Sequence, residues 1–273
     1  MSDLPVLGAA LNFTQVTSLK DWILEKDRCL ELQDFSPVEA QGDDQDELIT
    51  SYKSLLDGYK GTFGIHGPFF GLDLSSDDPL VQDVITKRYL DALVKCEKLG
   101  ASHMVIHSPF NYFHSLNWLN FGYMKAAVFA AAQATLAPVV KRAEDIGCCL
   151  VLENVGDADP FLRKELAEAI HSDMFKLSID TGHAAFAHGQ FKAPPVTDFV
   201  LAADDMLAHV HLQDADGYAD RHWHPGEGNI PWGGVFKAIN DIPSEPRLIL
   251  EVADRKELLP ITVKRLEAQG LAQ

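Results

Sequence analysis

The stretch "DPLVQDVITKRYLDALVKCEKLG", residues 78–100, runs into "SHMVIHS" at 102–108, and together they decide the fold. Asp78 and Pro79 open a helix and Gly100 closes it. Between them Val81, Val84, Ile85, Leu90, Leu93, Val94 and Leu99 form an apolar stripe at a spacing near 3.6 residues. The short apolar run that follows reads as a strand ending in His107. A helix delivered straight into a short strand is one beat of an alternating α/β chain.

The beat recurs in both directions. Strand-like runs occupy 5–13, 28–33, 61–67, 102–108, 148–154, 175–180, 206–214 and 247–252, and helical stretches 18–26, 45–58, 79–99, 119–146, 160–172, 196–204, 233–240 and 254–269. Eight strand-then-helix units in 273 residues predict one (β/α)8 (TIM) barrel domain spanning 1–273. A doubly wound open sheet is the competing α/β architecture, but the first turn, after "PVLGAALNF", has no Gly-rich phosphate fingerprint. No linker or low-complexity block divides the chain.

The opening residues carry no basic, signal-like stretch, and no segment approaches the roughly 18 uninterrupted apolar residues of a membrane span. The expectation is a soluble, cytoplasmic protein with no membrane partner. Cys29, Cys96, Cys148 and Cys149 form neither a disulfide framework nor a C-x-x-C pattern and read as reduced core residues. A net charge of -17, from 40 acidic against 23 basic side chains, weighs against a polyanionic partner without ruling out a local basic patch. Nothing in the sequence fixes the oligomeric state.

Active sites of such barrels lie at the C-terminal ends of the strands, and metal-capable residues gather there. His66 ends strand three, His107 strand four, Glu153 strand five, Asp180 strand six with His183 just beyond, His211 strand seven and Glu251 strand eight. The loop after strand seven, "DRHWHPGEGNI" (220–230), adds Asp220 and His222. Carboxylates clustered without a cation would repel one another and take raised pKa values. Imidazole nitrogen with carboxylate oxygen and no thiolate suits Zn²⁺, Mn²⁺ or Fe²⁺. Nine candidate ligands exceed what one ion uses; at three or four per metal, with bridging carboxylates, they would hold two or three ions about 3.5–4 Å apart. His103, His114, His171, His188 and His224 read as ordinary packing residues, while His209 shares a strand face with His211 and reads as an inner-layer supporting residue.

"IHGPF", "VIHSPF", "LENVGD", "IDTGHA", "HVHLQD", "DRHWHPGEGNI" and "LILEV", in this order over residues 60–252, resemble the xylose-isomerase-like TIM-barrel superfamily. That superfamily contains the sugar phosphate isomerases and epimerases and the endonuclease IV type of abasic-site nuclease (AP endonuclease family 2). The nuclease resemblance implies three zinc ions on all nine candidates, with Asp220 and His222 on the third. The isomerase resemblance implies one Mn²⁺-like ion on Glu153, Asp180, His211 and Glu251. The nuclease pattern would also call for a loop bearing Arg and Gln after strand two, where this chain has the acidic "DFSPVEAQGDD" (34–44).

Two enzyme classes follow. In the favoured one, an ion holds the hydroxyl and carbonyl oxygens of a small sugar or sugar phosphate, and the catalytic pair Glu153 and Glu251 removes and returns a carbon-bound proton, with the ion stabilising the enediolate between the steps. In the alternative, a multinuclear zinc site hydrolyses a phosphoester, either an abasic-site duplex or a small phosphodiester. Phe69, Phe70, Arg221 and Trp223 are the candidate substrate contacts, with Phe110, Trp118 and Trp232 as further aromatic wall. Arg221 could meet a phosphate, but reads better as a surface arginine paired with one of the many acids.

Overall fold

The structure is a computed structural model that describes residues 4–40 and 45–273, so the end of the acidic loop after strand two, residues 41–44, lies outside the described residues. Eight parallel strands close into a barrel in chain order: β1 Gly8–Leu11, β2 Leu30–Leu32, β3 Phe63–His66, β4 His103–His107, β5 Cys149–Glu153, β6 Phe175–Asp180, β7 Leu207–Leu212 and β8 Arg247–Leu250. Closure is made by β8 against β1, with Gly8 beside Ile249. A Cβ on Gly8 would lie 2.7 Å from Ile249 Cδ1 at this seam and 2.1 Å from the Cys29 carbonyl on the β2 side, so a residue without a side chain is what lets both neighbours approach.

The helices are α1 Phe13–Ser18, α2 Lys20–Glu25, α3 Asp46–Leu55, α4 Pro79–Leu99, α5 Tyr112–Asn117, α6 Met124–Ile146, α7 Phe161–Ile170, α8 Thr181–Phe191, α9 Val196–Ala203, α10 Trp232–Asp241 and α11 Leu259–Ala268. None among the described residues is long and apolar enough to cross a membrane. In α4 both ends fall at 79 and 99 as expected: the Asp78 side chain accepts from Leu80 N and Gly100 takes the left-handed cap. The buried face runs through Ile85, Tyr89, Ala92, Leu93, Cys96 and Leu99, whereas Val84 and Val94 are exposed. Small Ala92 and aromatic Tyr89, absent from the simple aliphatic stripe, set the true face.

Three helices fall almost wholly where the sequence reading placed none: α1, α5 and α8. The helix expected over 18–26 is α2, and Leu19 separates it from α1, which an Asn12–Gln15 capping box starts. More consequentially, α8 follows β6 with no loop, a helix whose Gly182, Gly189 and mostly apolar residues give no amphipathic period. It starts because Asp180 caps it, accepting from His183 N at 2.7 Å.

Arg163, on α7, is wholly buried behind the barrel wall. Its Nη1 donates to the carbonyls of Leu152 (3.0 Å) and Ser178 (2.6 Å) on β5 and β6, and its Nε lies 3.2 Å from buried Asp157. The pair holds the strand ends that carry Glu153 and Asp180. Arg163→Ala is expected to lose about 3–5 kcal/mol because it strands a buried carboxylate, and adding Asp157→Asn should return part of that loss. Urea denaturation of both variants checks this.

Candidate metal centre

All nine sequence-predicted ligands converge on the barrel mouth. They fall into three groups whose ligand atoms lie within 4.8 Å of one another: His66, His107 and Glu153; Glu153, Asp180, His211 and Glu251; and His183, Asp220 and His222. Glu153 belongs to two of them. They line a cavity of about 800 Å³, except for Asp180 and His211, which lie beneath its floor. Asn12, Gln33, Asp34 and Lys256 complete the wall, and Phe69 and Phe70 form its apolar side. Phe69 stacks on His107 at 4.5 Å and meets His66 edge-on at 5.0 Å.

Backbone carbonyls select the ligand nitrogens. His66 Nδ1 lies 2.9 Å from Gly67 O, His183 Nδ1 2.8 Å from Asn154 O and His222 Nδ1 3.1 Å from Glu251 O. A carbonyl only accepts, so each Nδ1 carries a proton and each Nε2 is turned toward a carboxylate, which against the effect of burial raises the pKa of His66 and His222 to about 9 and that of His183 well above its ordinary value; a bound cation would take the Nε2 lone pair in the proton's place. His183 Nε2 and His222 Nε2 stand 3.3 and 3.2 Å from Asp220 Oδ2, and His66 Nε2 stands 3.7 Å from Glu153 Oε2. His211 is turned the other way: Nδ1 faces Glu153 and Glu251, each at 3.2 Å, and Nε2 meets Glu31 at 2.8 Å.

Burial works against a negative Glu153, but the imidazoles of His211, His183 and His66 outweigh it and hold its carboxyl well below the usual range. Burial lifts Asp180 to about 6 and pushes His107 down to about 3, so His107 stays neutral with a lone pair to give. Glu153 Oε2 and Asp180 Oδ2 are buried without a hydrogen-bond partner, although both belong to carboxylates that otherwise accept. Such orphan oxygens are costly. A divalent cation would satisfy them by taking the place of imidazole protons, and the donor set suits an ion of the Zn²⁺ or Mn²⁺ class.

The loop that brings Asp220 and His222 is built around two residues whose roles the sequence reading left unassigned. Buried Gln213 donates through Nε2 to Asp180 Oδ1 (3.0 Å) and Asp220 Oδ1 (2.9 Å), and its Oε1 accepts from His222 N (2.8 Å), tying two ligand groups through one amide. Asp214 takes the backbone N–H groups of Gly226 and Ile230 and the Trp232 indole. Gly228 lets the loop close, since a Cβ there would lie 2.4 Å from Asp214 Oδ1. His222 itself adopts φ 48°, strained for a non-glycine residue and held by these bonds. The signal for Gln213 and Asp214 was two polar residues closing an apolar strand run two and three positions after His211.

Of the expected substrate contacts, Arg221 and Trp223 do not line the cavity. Arg221 donates to Asp216 at 2.8 and 3.1 Å and lies over Trp223, which pairs with Asp214. Phe110 is core, Trp232 serves Asp214, and Trp118 stacks on His114 away from the cavity.

Residues 28–270 match the family of xylose isomerase-like TIM barrels. The chain belongs to this family. Its matches include the uncharacterized protein MJ1311 of Methanocaldococcus jannaschii, 27% identical over 69% of this chain and 63% of that protein. The D-psicose 3-epimerase of Enterocloster bolteae is 22% identical over 92% of this chain and 75% of the enzyme, and the fructoselysine 3-epimerase of Escherichia coli O157:H7 28% identical over 39% of each. Among solved structures, a D-tagatose 3-epimerase-like protein superposes with a TM-score of 0.73 at 22% identity, covering 97% of this chain and 100% of that one. The TTHB071 protein of Thermus thermophilus, soaked with ZnCl2, gives 0.71 at 24%, covering 97% and 98%. The structural likeness carries the fold, and the two curated enzymes named above are sugar epimerases.

A Cβ on Gly182 would lie 2.1 Å from the Gln213 amide. Gly182→Ala is therefore expected to displace Gln213, cost about 1–3 kcal/mol and expose the 214–231 loop to limited proteolysis, measured as a new cleavage site absent from the parent protein.

Proposed function

We propose that the protein is a divalent-metal-dependent isomerase or epimerase of a small sugar or sugar phosphate, with Glu153 and Glu251 as its proton-transferring pair. The observation that carries this reading is the placement of those carboxylates, brought by β5 and by the end of β8 to the same imidazole nitrogen at the base of a sugar-sized cavity. The epimerase relatives support it.

A divalent ion in the group of Glu153, Asp180, His211 and Glu251 would supply Lewis-acid stabilisation of negative charge developing on the substrate's oxygens. The protein's own residues do the rest. Gln33 Nε2 donates to Glu251 Oε1 at 2.8 Å, and Lys256 Nζ donates to Gln33 Oε1 at 3.2 Å. An ammonium cannot accept, so the Gln33 amide keeps its N–H toward Glu251 and holds that carboxylate in place. Glu153 sits across the group with one oxygen free of hydrogen bonds. One carboxylate takes a proton from the carbon beside the substrate carbonyl and the other returns one, while Phe69 and Phe70 shield that side from water.

The third group, His183, Asp220 and His222, gives a second reading its footing. Three ions in a row would suit phosphoester hydrolysis, with Glu153 as a ligand and no carbon acid involved. The acidic surroundings and the pairing of Arg221 with Asp216 argue against a duplex substrate.

Glu153→Gln and Glu251→Gln should each lower turnover by roughly 10²–10⁴-fold. With a panel of ketoses, aldoses and their phosphates in deuterated water, solvent deuterium should appear at a sugar carbon. Efficient metal-dependent nicking of an abasic-site duplex, with no deuterium uptake by any sugar, would instead select the hydrolase.

The parent protein is expected to carry at least two Zn- or Mn-class ions per chain by elemental analysis. His222→Ala should lose one ion yet keep a measurable fraction of isomerase activity. Complete loss of activity together with that ion would tie the chemistry to the third group.

A further inference from the structure

We infer that Glu31 is the positioning residue of the centre, fixing through His211 which imidazole nitrogen is offered to the metal. The inference rests on the metal-binding reading above. His66, His183 and His222 are locked by carbonyls of neighbouring backbone, and each offers Nε2. His211 stands on β7 inside the barrel wall, and its Nε2 finds only the carboxylate of Glu31, reaching across from β2 at 2.8 Å. That bond leaves Nδ1 toward Glu153, Asp180 and Glu251, at 3.2, 4.0 and 3.2 Å.

Glu31 is wholly buried, and a carboxylate in that position needs a reason beyond packing. Its Oε1 has no hydrogen-bond partner, and Oε2 lies close to both His211 and His209, the latter at 3.1 Å. His209 is in turn oriented from below: Arg247 Nε donates to its Nδ1 over a long 3.4 Å. Arginine never accepts, so the proton of His209 belongs on Nε2, facing Glu31. Arg247 thus donates to His209 and His211 donates to Glu31, while His209 Nε2 lies close to the same carboxylate without a hydrogen-bond partner of its own. An apolar residue at 31 would leave the His211 ring free to present either nitrogen.

A carboxylate behind a ligating imidazole also makes it a stronger donor, and removing such a partner typically costs 10–100-fold in metal affinity. Glu31→Gln keeps the shape and an acceptor but removes the charge. Metal-stripped parent and variant would be titrated with Co²⁺, following the visible ligand-field bands. The expected result is the same number of equivalents in both, with one equivalent bound 10–100-fold more weakly and its bands shifted in the variant. Unchanged affinity and bands would overturn the assignment while leaving the metal reading intact. Loss of a whole equivalent would make Glu31 a direct ligand and also overturn it. A parent protein that binds no Co²⁺ would sink the metal reading itself.

A second measurement needs no variant. Long-range ¹H–¹⁵N spectra of the Zn²⁺-loaded parent, with ¹⁵N-labelled histidine, should show His211 protonated at Nε2 and ligated at Nδ1. Protonation at Nδ1 would refute the inference even if Glu31→Gln fails to fold.

Discussion

Glu153 is a fully buried carboxylate at the junction of two ligand groups, and the rest of the site depends on keeping it there in its charged form. Desolvation alone would neutralise it. Three imidazoles close by reverse that balance, and one oxygen is still left without a donor. The strand that carries it is held from behind by Arg163, which bonds both β5 and β6 through their carbonyls. Rigidity behind the wall and an unsatisfied oxygen in front of it are the two conditions for a preorganised cation site.

The same economy of amides organises the rim. Asn154 pairs with the backbone of Asp180 in both directions, and Gln213 joins Asp180 to Asp220 and to the backbone of His222. Asparagine and glutamine present a donor and an acceptor at once, so one side chain sets the orientation of two neighbours without adding charge to an already crowded mouth. Gln33 does the same between Lys256 and Glu251.

Much of this was legible in the sequence. Strand ends can be read because a short apolar run stops where a polar residue begins, and this located His66, His107, Glu153, Asp180, His211 and Glu251 at the rim. What could not be read depended on spatial neighbours. Glu31 lies inside "RCLELQ", where one acid in an apolar strand looks like the solvent-facing half of an alternation; only barrel closure turns it inward onto a residue 180 positions away. Helix α8 escaped because its start is set by Asp180, a residue spent on ending a strand, and because its residues give no amphipathic period. Arg221 and Trp223 share their loop with two candidate ligands, and sequence proximity said nothing about which side of the loop each would occupy.

The loop clasped by Asp214 has a consequence for how this barrel can vary. Both ends of the clasp, the Asp214 carboxylate and the Trp232 indole, lie outside the segment that carries Asp220 and His222. Lengthening or trimming residues 216–219 would leave the anchors and the barrel wall untouched while moving Asp220 and His222 toward or away from His183. The two groups that share Glu153 have no such freedom, because their residues are tied to strand ends. The centre is thus divided into a part inherited with the barrel and an exchangeable attachment, and a lineage could trade the latter without refolding the former.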